Sequence, residues 1–250
     1  LLEIGDGLSD RTILDLPEML APGDVLVLNN TKVIPARLHG KRGNARIEAT
    51  LNKQIEGNRW RVFARPGRRL RISDEVKFGK DFSARVHEKL PNGEVVLDFE
   101  TRDFAAALTA NGAMPLPPYI ERLPTPTESD YGDYQTIYAE QEGAIAAPTA
   151  GLHFTKRLFE ALEARKIRLA TVTLHVGAGT FLPVRMDNPK EHQMHGELGS
   201  ISPSVANIIN ETRAAGGRIV AVGTTSLRLL ESAAGADGVI QPFNGETDLF

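Results

Sequence analysis

The pattern of hydrophobic and polar positions changes twice along the chain. A continuous apolar run over 25–28 predicts a strand that is buried on both faces, with a helix before it over 14–20. From about 45 to 99, apolar and polar residues alternate in short segments that are separated by turn signals such as Pro91-Asn92-Gly93. Many short strands with frequent turns are typical of a small antiparallel barrel or sandwich.

Helices and strands alternate in the remainder of the chain. The predicted elements are a helix over 103–110, a helix from Thr155 to 164, a strand over 167–174, a helix from Ser202 to Gly216, a strand over 218–222 and a helix over 227–234. The segment 114–134 contains five prolines and is expected to be irregular. The sequence therefore predicts an α/β main domain, residues 1–40 and 101–250, with an inserted small antiparallel β-barrel domain, residues 41–100.

Composition narrows the class of protein. The chain has 250 residues, of which 41% are hydrophobic and 24% are charged, and this balance is typical of a globular protein. The absence of cysteine excludes a disulfide scaffold, a cysteine nucleophile and thiolate metal sites. The apolar runs are too short for a membrane span, and we expect a cytoplasmic protein with no membrane association. Because the sequence opens at Leu1, we also expect a piece that is cut at both ends.

The charge is distributed unevenly. Residues 41–90 contain 14 Lys and Arg against 6 Asp and Glu, although the whole chain has a net charge of −3. A basic inserted domain points to a polyanion such as nucleic acid, with Arg65, Arg68, Arg69 and Arg71 as the densest group. The alternative is a solvated barrel surface. Aromatic residues in the same segment, Trp60, Phe63 and Phe78, suit either base stacking or core packing.

Four histidines in the second half lie beside glycine or turn residues, namely His153, His175, His192 and His195. Glycines follow His175 in the run His175-Val176-Gly177-Ala178-Gly179, where backbone N–H groups can approach a ligand closely. His192, His195 and Glu197 offer nitrogen and oxygen ligands, which leaves a metal site open as an alternative. A second alternative is that one or two of these histidines only cap loops.

A polar segment, Gly223-Thr224-Thr225-Ser226, stands between a predicted strand and a predicted helix. Free N–H groups at a helix N-terminus favour an anion. The simpler interpretation is an N-cap by Thr224 or Thr225. Arg185, Arg228 and Glu231 are expected near the same edge.

Several longer motifs agree with one known family. They are Asn29-Asn30-Thr31-Lys32-Val33-Ile34-Pro35-Ala36-Arg37-Leu38, Met114-Pro115-Leu116-Pro117-Pro118-Tyr119-Ile120, Tyr134-Gln135-Thr136-Ile137-Tyr138, Ala146-Ala147-Pro148-Thr149-Ala150-Gly151-Leu152-His153-Phe154, Leu174-His175-Val176-Gly177-Ala178-Gly179-Thr180-Phe181 with Pro183-Val184-Arg185, and Gly223-Thr224-Thr225-Ser226-Leu227-Arg228. In this order and combination, the sequence resembles the S-adenosylmethionine:tRNA ribosyltransferase-isomerases of queuosine biosynthesis. Residues 41–90 match the family only weakly. The family's proline- and arginine-rich opening segment and its later Asn-Phe-His-Leu-Pro motif are not in this sequence.

The resemblance implies an enzyme that transfers the ribosyl group of S-adenosylmethionine to an aminomethyl-deazaguanine base at the tRNA wobble position. Epoxyqueuosine forms, and adenine and methionine are released. The family needs no metal or organic cofactor, since S-adenosylmethionine is a co-substrate, and we expect a monomer. Two alternatives remain, a metal-dependent hydrolase built on His192, His195 and Glu197, and a noncatalytic RNA-binding protein.

The chemistry that the resemblance implies requires a base near a sulfonium-bearing sugar and a proton donor for the departing adenine. The predicted catalytic residues are His153, His175, His192, His195 and Glu197. The predicted substrate-binding residues are Asn29, Asn30, Thr31, Arg37, Tyr119, Gln135, Tyr138, Gly177, Gly179, Arg185, Thr224, Thr225, Ser226, Arg228 and Glu231.

Overall fold

The computed structural model describes residues 1–117, 119–120, 126–181 and 196–249. The strands are β1 Leu2–Ile4, β2 Leu8–Asp10, β3 Val25–Asn29, β4 Thr31–Val33, β5 Arg37–Arg42, β6 Ala45–Glu56, β7 Arg59–Arg65, β8 Glu75–Gly79, β9 Phe82–Lys89, β10 Val95–Glu100, β11 Gly112–Ala113, β12 Gln141–Ala144, β13 Arg168–Leu174, β14 Glu197–Ile201, β15 Ile219–Ala221 and β16 Phe243–Thr247. The α-helices are α1 Leu16–Met19, α2 Phe104–Asn111, α3 Glu128–Asp133, α4 Lys156–Ala164, α5 Pro203–Ala214 and α6 Gly223–Ala233. Within these ranges, no helix combines the length and the apolar character that crossing a bilayer requires.

The main sheet is mixed, with the strand order β15-β3-β13-β14-β16. Its first three strands are parallel, β14 pairs antiparallel with β13, and β16 pairs antiparallel with β14. Connections through α4, α5 and α6 give the alternation of helices and strands that the sequence predicts. The two antiparallel strands are an addition that the hydrophobic pattern did not indicate.

Strand β3 lies at the centre of two hydrophobic cores. Val25 and Val27 pack with residues of α5 and α6 on one face of the sheet. Leu26 and Leu28 point to the other face, where they pack with Leu158 and Leu162 of α4. All four side chains are fully buried, as the continuous apolar run predicts.

The second sheet closes into a six-stranded antiparallel barrel, in the order β5-β6-β7-β10-β9-β8, with β11 added at β5. A pairing of β5 with β8 completes the ring. Gly40 of β5 allows this closure, because a methyl group there would lie 2.6 Å from the Phe78 ring and 2.8 Å from the Lys77 carbonyl. The α/β fold with a small antiparallel barrel is thus confirmed. Strand β5 begins ahead of residue 41, and the division into two domains stays a prediction.

Aromatic residues of the barrel pack inside it. Trp60, Phe78, Phe82 and Phe99 are buried, and α2 contributes Phe104, which stacks on Trp60 with a centroid distance of 5.5 Å. Of the two interpretations of the aromatic residues in the basic segment, packing therefore applies to Trp60 and Phe78. Phe63 is partly buried against the same core.

Three element predictions need correction. Helix α6 begins at Gly223 rather than at 227, because Gly223 adopts a φ of 82° that turns the chain directly from β15 into the helix. The proline-rich segment contains the short helix α3, which a capping box at Thr127 and Asp130 starts. The helix expected over 14–20 is a 3₁₀ turn, Ile13–Asp15, followed by the single turn α1.

Candidate functional site

Three parallel strands end at the same edge of the main sheet. Strand β3 ends at Asn29, β13 at Leu174 and β15 at Ala221. Each is followed directly by a segment that the sequence singled out, which brings Asn30-Thr31, the loop from His175 and the start of α6 together. The carboxyl ends of adjacent parallel strands are the usual ligand-binding edge of an α/β sheet.

Asn29 and Asn30 hold this edge in shape. The fully buried amide of Asn29 accepts a hydrogen bond from the backbone N of Leu174 (3.0 Å) and donates one to its carbonyl (3.0 Å). Asn30 donates to Glu140 (3.1 Å) and accepts from the Thr173 hydroxyl (2.7 Å). Both side chains, predicted to bind substrate, thus make hydrogen bonds within the protein that fix the strand ends.

His175 is held in place by a hydrogen bond between one ring nitrogen and Thr31. Its Nδ1 lies 2.8 Å from Oγ1 of Thr31, and that hydroxyl lies 3.4 Å from the carbonyl oxygen of Gln141. If the hydroxyl hydrogen points to Gln141, Nδ1 carries the ring proton and Nε2 the lone pair; if it points to Nδ1, the tautomer is reversed. In the part of the chain that the structure describes, Nε2 has no hydrogen-bonding partner. Burial lowers the pKa of His175, so the ring is neutral at neutral pH.

Gly143 of β12 provides the space for this imidazole. Its φ is 146°, and a methyl group there would lie 2.8 Å from Nδ1 and 2.9 Å from Cε1 of His175. The ring therefore rests against bare backbone. No local sequence signal marked Gly143, since its partner His175 is distant along the chain.

Acceptors from two directions fix the glycine-rich loop after His175. The N–H of Gly177 donates to Oε1 of Glu197 (2.9 Å), and Arg228 of α6 donates to Oε2 of the same carboxylate (2.5 Å). The N–H of Ala178 donates to Oδ1 of Asn52 in the barrel (3.1 Å). These two amides, expected to face a ligand, are therefore used within the protein, and Glu197 with Arg228 orders the loop.

Asn52 is a residue that sequence reasoning missed. A register shift between Leu51 and Lys53 leaves Asn52 without a directly opposed residue on β7, as in a β-bulge, and its side chain reaches the loop. Its Nδ2 also donates to Glu94 (2.6 Å), which accepts a second hydrogen bond from Asn92 (2.6 Å) and is only 2% exposed. The barrel is thus hydrogen-bonded to the candidate site.

A cavity of about 370 Å³ opens beside this edge. That volume lies within the usual range for small-molecule sites. The lining includes Val176, Thr180 and the start of α6, together with Pro117, Tyr119, Tyr134, Ala146, Ala147, Pro148, Thr149, Ala150, Phe181, Gly223, Thr224 and Thr225. Of the predicted substrate-binding residues, Tyr119, Thr224 and Thr225 lie here.

The N-terminus of α6 faces the cavity without a side-chain cap. The residue before the helix is Val222, which offers no oxygen to the first amides, so the N-cap interpretation for Thr224 or Thr225 is wrong. Both threonines lie in the first turn instead. The buried hydroxyls of Thr225 and Ser226 have no hydrogen-bonding partner among the described residues. Buried hydroxyls are normally paired, so Thr225, which lines the cavity, is suited to a ligand, whereas Ser226 is fully buried and is not among the lining residues.

The three tyrosines of the family motifs, Tyr119, Tyr134 and Tyr138, have different environments. Tyr119 is 73% exposed at the cavity, whereas Tyr134 is buried in a small core, where burial raises its pKa to about 12. Tyr138 packs edge-on against Phe154 and Phe159, and burial raises its pKa as well. Tyr138 therefore packs in the core and lies away from the cavity lining.

Two further predicted residues connect the proline-rich segment to the core. The amide of Gln135 pairs with both backbone groups of Val33 (2.9 Å each). Arg37 donates to the carbonyl of Leu116 (3.0 Å), while its buried Nε lacks a partner within the described ranges. Both positions support the loop that carries Tyr119.

The remaining predicted residues are placed as follows. His153 is exposed at the end of the 3₁₀ turn Thr149–His153. Neither His153 nor His175 is among the residues that line the cavity. Glu231 is exposed on α6, and Gly179 lies in the 3₁₀ turn Ala178–Phe181. His192, His195 and Arg185 lie outside the described residues. Among those that are described, no group of three or more His, Asp or Glu side chains is arranged for a metal ion.

The basic residues lie on the outside of the barrel. Arg65 ends β7, Arg68 and Arg69 form the next 3₁₀ turn, and Arg71 follows it; all four are exposed. Arg65 also lines a groove of about 940 Å³ with Lys41, Arg46 and Lys77. No carboxylate within the described ranges forms an ion pair with any of the four arginines.

Comparison with known proteins agrees with the motifs. A family model described as queuosine biosynthesis protein matches residues 2–250. A protein of Acidiphilium cryptum named S-adenosylmethionine:tRNA ribosyltransferase-isomerase is 54% identical over 250 residues, covering 98% of this chain and 72% of that protein. A relative of the same name from Rhizorhabdus wittichii is 52% identical over 252 residues, covering 100% and 73%. A crystal structure of S-adenosylmethionine tRNA ribosyltransferase from Thermotoga maritima is 30% identical and covers 98% of this chain and 67% of that one, with a TM-score of 0.41. The predicted resemblance is confirmed, and the chain belongs to the queuosine biosynthesis protein family.

Proposed function

We propose that this chain is an S-adenosylmethionine:tRNA ribosyltransferase-isomerase that transfers and isomerises the ribosyl group onto an aminomethyl-deazaguanine base in the tRNA anticodon, releasing adenine and methionine. The family match and relatives about 50% identical over nearly the whole chain support this function. The structural observation that carries it is the meeting of the ends of β3, β13 and β15 beside one cavity. We further propose that the enzyme acts in the cytoplasm as a monomer.

His175 is the base that we propose for the first step. The sulfonium of S-adenosylmethionine acidifies the adjacent ribose carbon, and a neutral imidazole is required to remove a proton there. A lowered pKa keeps the ring unprotonated, and we propose the tautomer in which Nδ1 donates to Thr31 and Nε2 holds the lone pair. His153, His192 and His195 stay predictions for the second acid–base group.

The methionine carboxylate is proposed to bind at the N-terminus of α6. The helix start without a side-chain cap, the helix dipole and the unpaired hydroxyl of Thr225 together suit a carboxylate. Arg228, an alternative partner for this carboxylate, is already paired with Glu197. We therefore propose that Arg228 and Glu197 position the glycine-rich loop and leave the carboxylate to the helix start.

The tRNA is proposed to lie across the basic face of the barrel, where Arg65, Arg68, Arg69 and Arg71 are exposed. Single-stranded anticodon bases are usually splayed out and stacked on aromatic rings. Tyr119 is suited to this role, because it is exposed and lies on the cavity.

The test is adenine release from S-adenosylmethionine in the presence of precursor-bearing tRNA. We expect release with the precursor tRNA and none with tRNA that lacks the aminomethyl group. His175→Gln should lower the rate at least about a hundredfold, as expected for loss of a general base. His87→Gln, at an exposed position of β9 in the barrel, is the matched control and should leave the rate near that of wild type. Release that depends on added divalent metal would favour the hydrolase, and tRNA binding without release would favour a noncatalytic RNA-binding protein.

A further inference from the structure

The seam where the barrel closes carries a row of like charges. Lys41 of β5 is directly opposite Lys77 of β8, and this is the register pair that closes the ring. On its other side, Lys41 is directly opposite Arg46 of β6. Directly opposed residues of antiparallel strands project from the same face, with Cβ atoms about 5 Å apart. Three cations therefore lie side by side across three strands, spanning about 10 Å.

The acidic residues nearby do not neutralise this row. Within the described ranges, Lys41 and Arg46 have no carboxylate within 4 Å, and Lys77 has only Glu75 of its own strand, at 4.0 Å. Glu48 also lines the groove, but it is directly opposite His39 on β5 and Arg65 on β7 and not opposite any residue of the row. All three cations of the row are exposed. The row thus keeps its positive charge at the surface.

The other directly opposed charged pairs of the barrel mostly combine opposite signs. Glu75 is opposite Arg85, Glu48 is opposite Arg65, and Asp98 is opposite Arg59, which are pairs of opposite sign. Lys53 and Arg61 form another like-charged pair, but Glu246 lies 2.6 Å from the Lys53 ammonium. Because like charges directly opposed destabilise a sheet, the row at the seam makes folding less favourable. A polyanion that binds there would relieve this repulsion.

The row lines a concave surface. Lys41, Arg46 and Lys77, with Arg65, form the walls of the groove of about 940 Å³. Gly40, Gly43 and Gly79 also line this groove. A groove with cations spaced at strand intervals matches a run of phosphates along an RNA backbone better than it matches a single small anion.

We propose that Lys41, Arg46 and Lys77 contact consecutive phosphates of the tRNA, so that the barrel seam fixes the RNA on the enzyme. This inference rests on the proposed function and adds three residues that the sequence pattern did not single out from the other cations of the barrel. Phosphate contacts position a nucleic acid without reading its sequence. The row should therefore govern affinity and salt dependence rather than the chemical step.

The test compares the Lys41→Ala/Lys77→Ala double variant with wild type, using precursor-bearing tRNA over a salt series. Losing two phosphate contacts should lower the slope of log affinity against log salt by about 1.5 and weaken binding roughly tenfold or more at moderate salt. The rate of adenine release at saturating tRNA and the KM for S-adenosylmethionine should stay near those of wild type. The thermal midpoint should be equal or higher, since the repulsion is removed.

The matched control is Arg85→Ala, because this cation of the same barrel is paired with Glu100 at 3.3 Å. Arg85→Ala should retain the wild-type salt slope, and Arg46→Gln should give about half the effect of the double variant. A double variant with wild-type affinity and slope, while adenine release proceeds, would overturn the assignment of the seam alone. Wild-type protein that neither binds the tRNA nor releases adenine would overturn the proposed function, and this inference with it.

Discussion

Asn52→Ala tests the hydrogen-bonded link between the barrel and the glycine-rich loop. The change removes the acceptor for the Ala178 N–H, at 3.1 Å, and the donor to Glu94, at 2.6 Å. A neutral hydrogen bond contributes about 1 kcal/mol and one to a charged group about 2 kcal/mol, so the free energy of unfolding should decrease by about 3 kcal/mol. For a chain of this size, the thermal midpoint should be lower by roughly 6–12 °C.

The activity of Asn52→Ala should change in a specific way. The loop retains its hydrogen bond to Glu197, and the N-terminus of α6 is untouched, so the variant should still bind S-adenosylmethionine. Because the loop leads from His175 to the cavity, kcat for adenine release should decrease more than KM increases. Thermal melts and initial rates at saturating tRNA measure both effects.

The control for this prediction lies two residues further along the same strand. The side chain of Gln54 donates to the carbonyl of Gly57 in the exposed β6–β7 turn, so Gln54→Ala should change stability by less than about 1 kcal/mol. Asn52→Asp keeps an acceptor for Ala178 but places a second carboxylate beside Glu94, so its stability should decrease as pH rises. An Asn52→Ala protein that melts and turns over like wild type would refute the proposed link.

Three further changes address the cavity edge. Burial lowers the pKa of His175, so the unfolded chain binds the proton more readily than the folded protein does. The free energy of unfolding should therefore decrease as pH falls from about 6.5. The acid limb of kcat/KM should lie below about pH 6.5, and a limb at or above that pH would contradict the prediction. Gly143→Ala places a methyl group 2.8 Å from Nδ1 of His175 and so displaces the ring. The kcat should decrease at least about tenfold, with little change in affinity for S-adenosylmethionine. An unchanged kcat would show that the position of the ring is not critical. Thr225→Val removes an unpaired buried hydroxyl, so the free protein should be at least as stable as wild type. The KM for S-adenosylmethionine should increase severalfold. A lower thermal midpoint with an unchanged KM would show that the hydroxyl serves folding alone.

Local signals predicted much of the fold. Thr155 and Ser202 were expected to start helices, and their hydroxyls accept hydrogen bonds from Leu158 and Val205. The apolar run over 25–28 is buried on both faces as expected. These features depend on residues within a few positions of one another, which is why the sequence alone was enough.

The site itself depends on contacts that local patterns do not encode. Asn52 and Ala178 are 126 positions apart, and Asn29 and Leu174 are 145 apart. Asn52 stands in an alternating run in which an amide has no distinguishing mark, and Asn29, although predicted as a site residue, carried no signal for its partner Leu174. The start of α6 was placed too late because glycine with a positive φ is a weak signal for a helix start. The motif resemblance found the right edge of the sheet, whereas the partner of each residue required the structure.

The alternation in β3 limits how this part of the protein can change. A deletion of one residue within 25–29 would turn the valines toward α4 and the leucines toward α5 and α6, so both layers of packing would be lost together. The same shift would pull Asn29 out of reach of Leu174 and displace every group that follows it. Exchanges between aliphatic side chains of similar size should be tolerated here, but a change in strand length should abolish folding and catalysis at once.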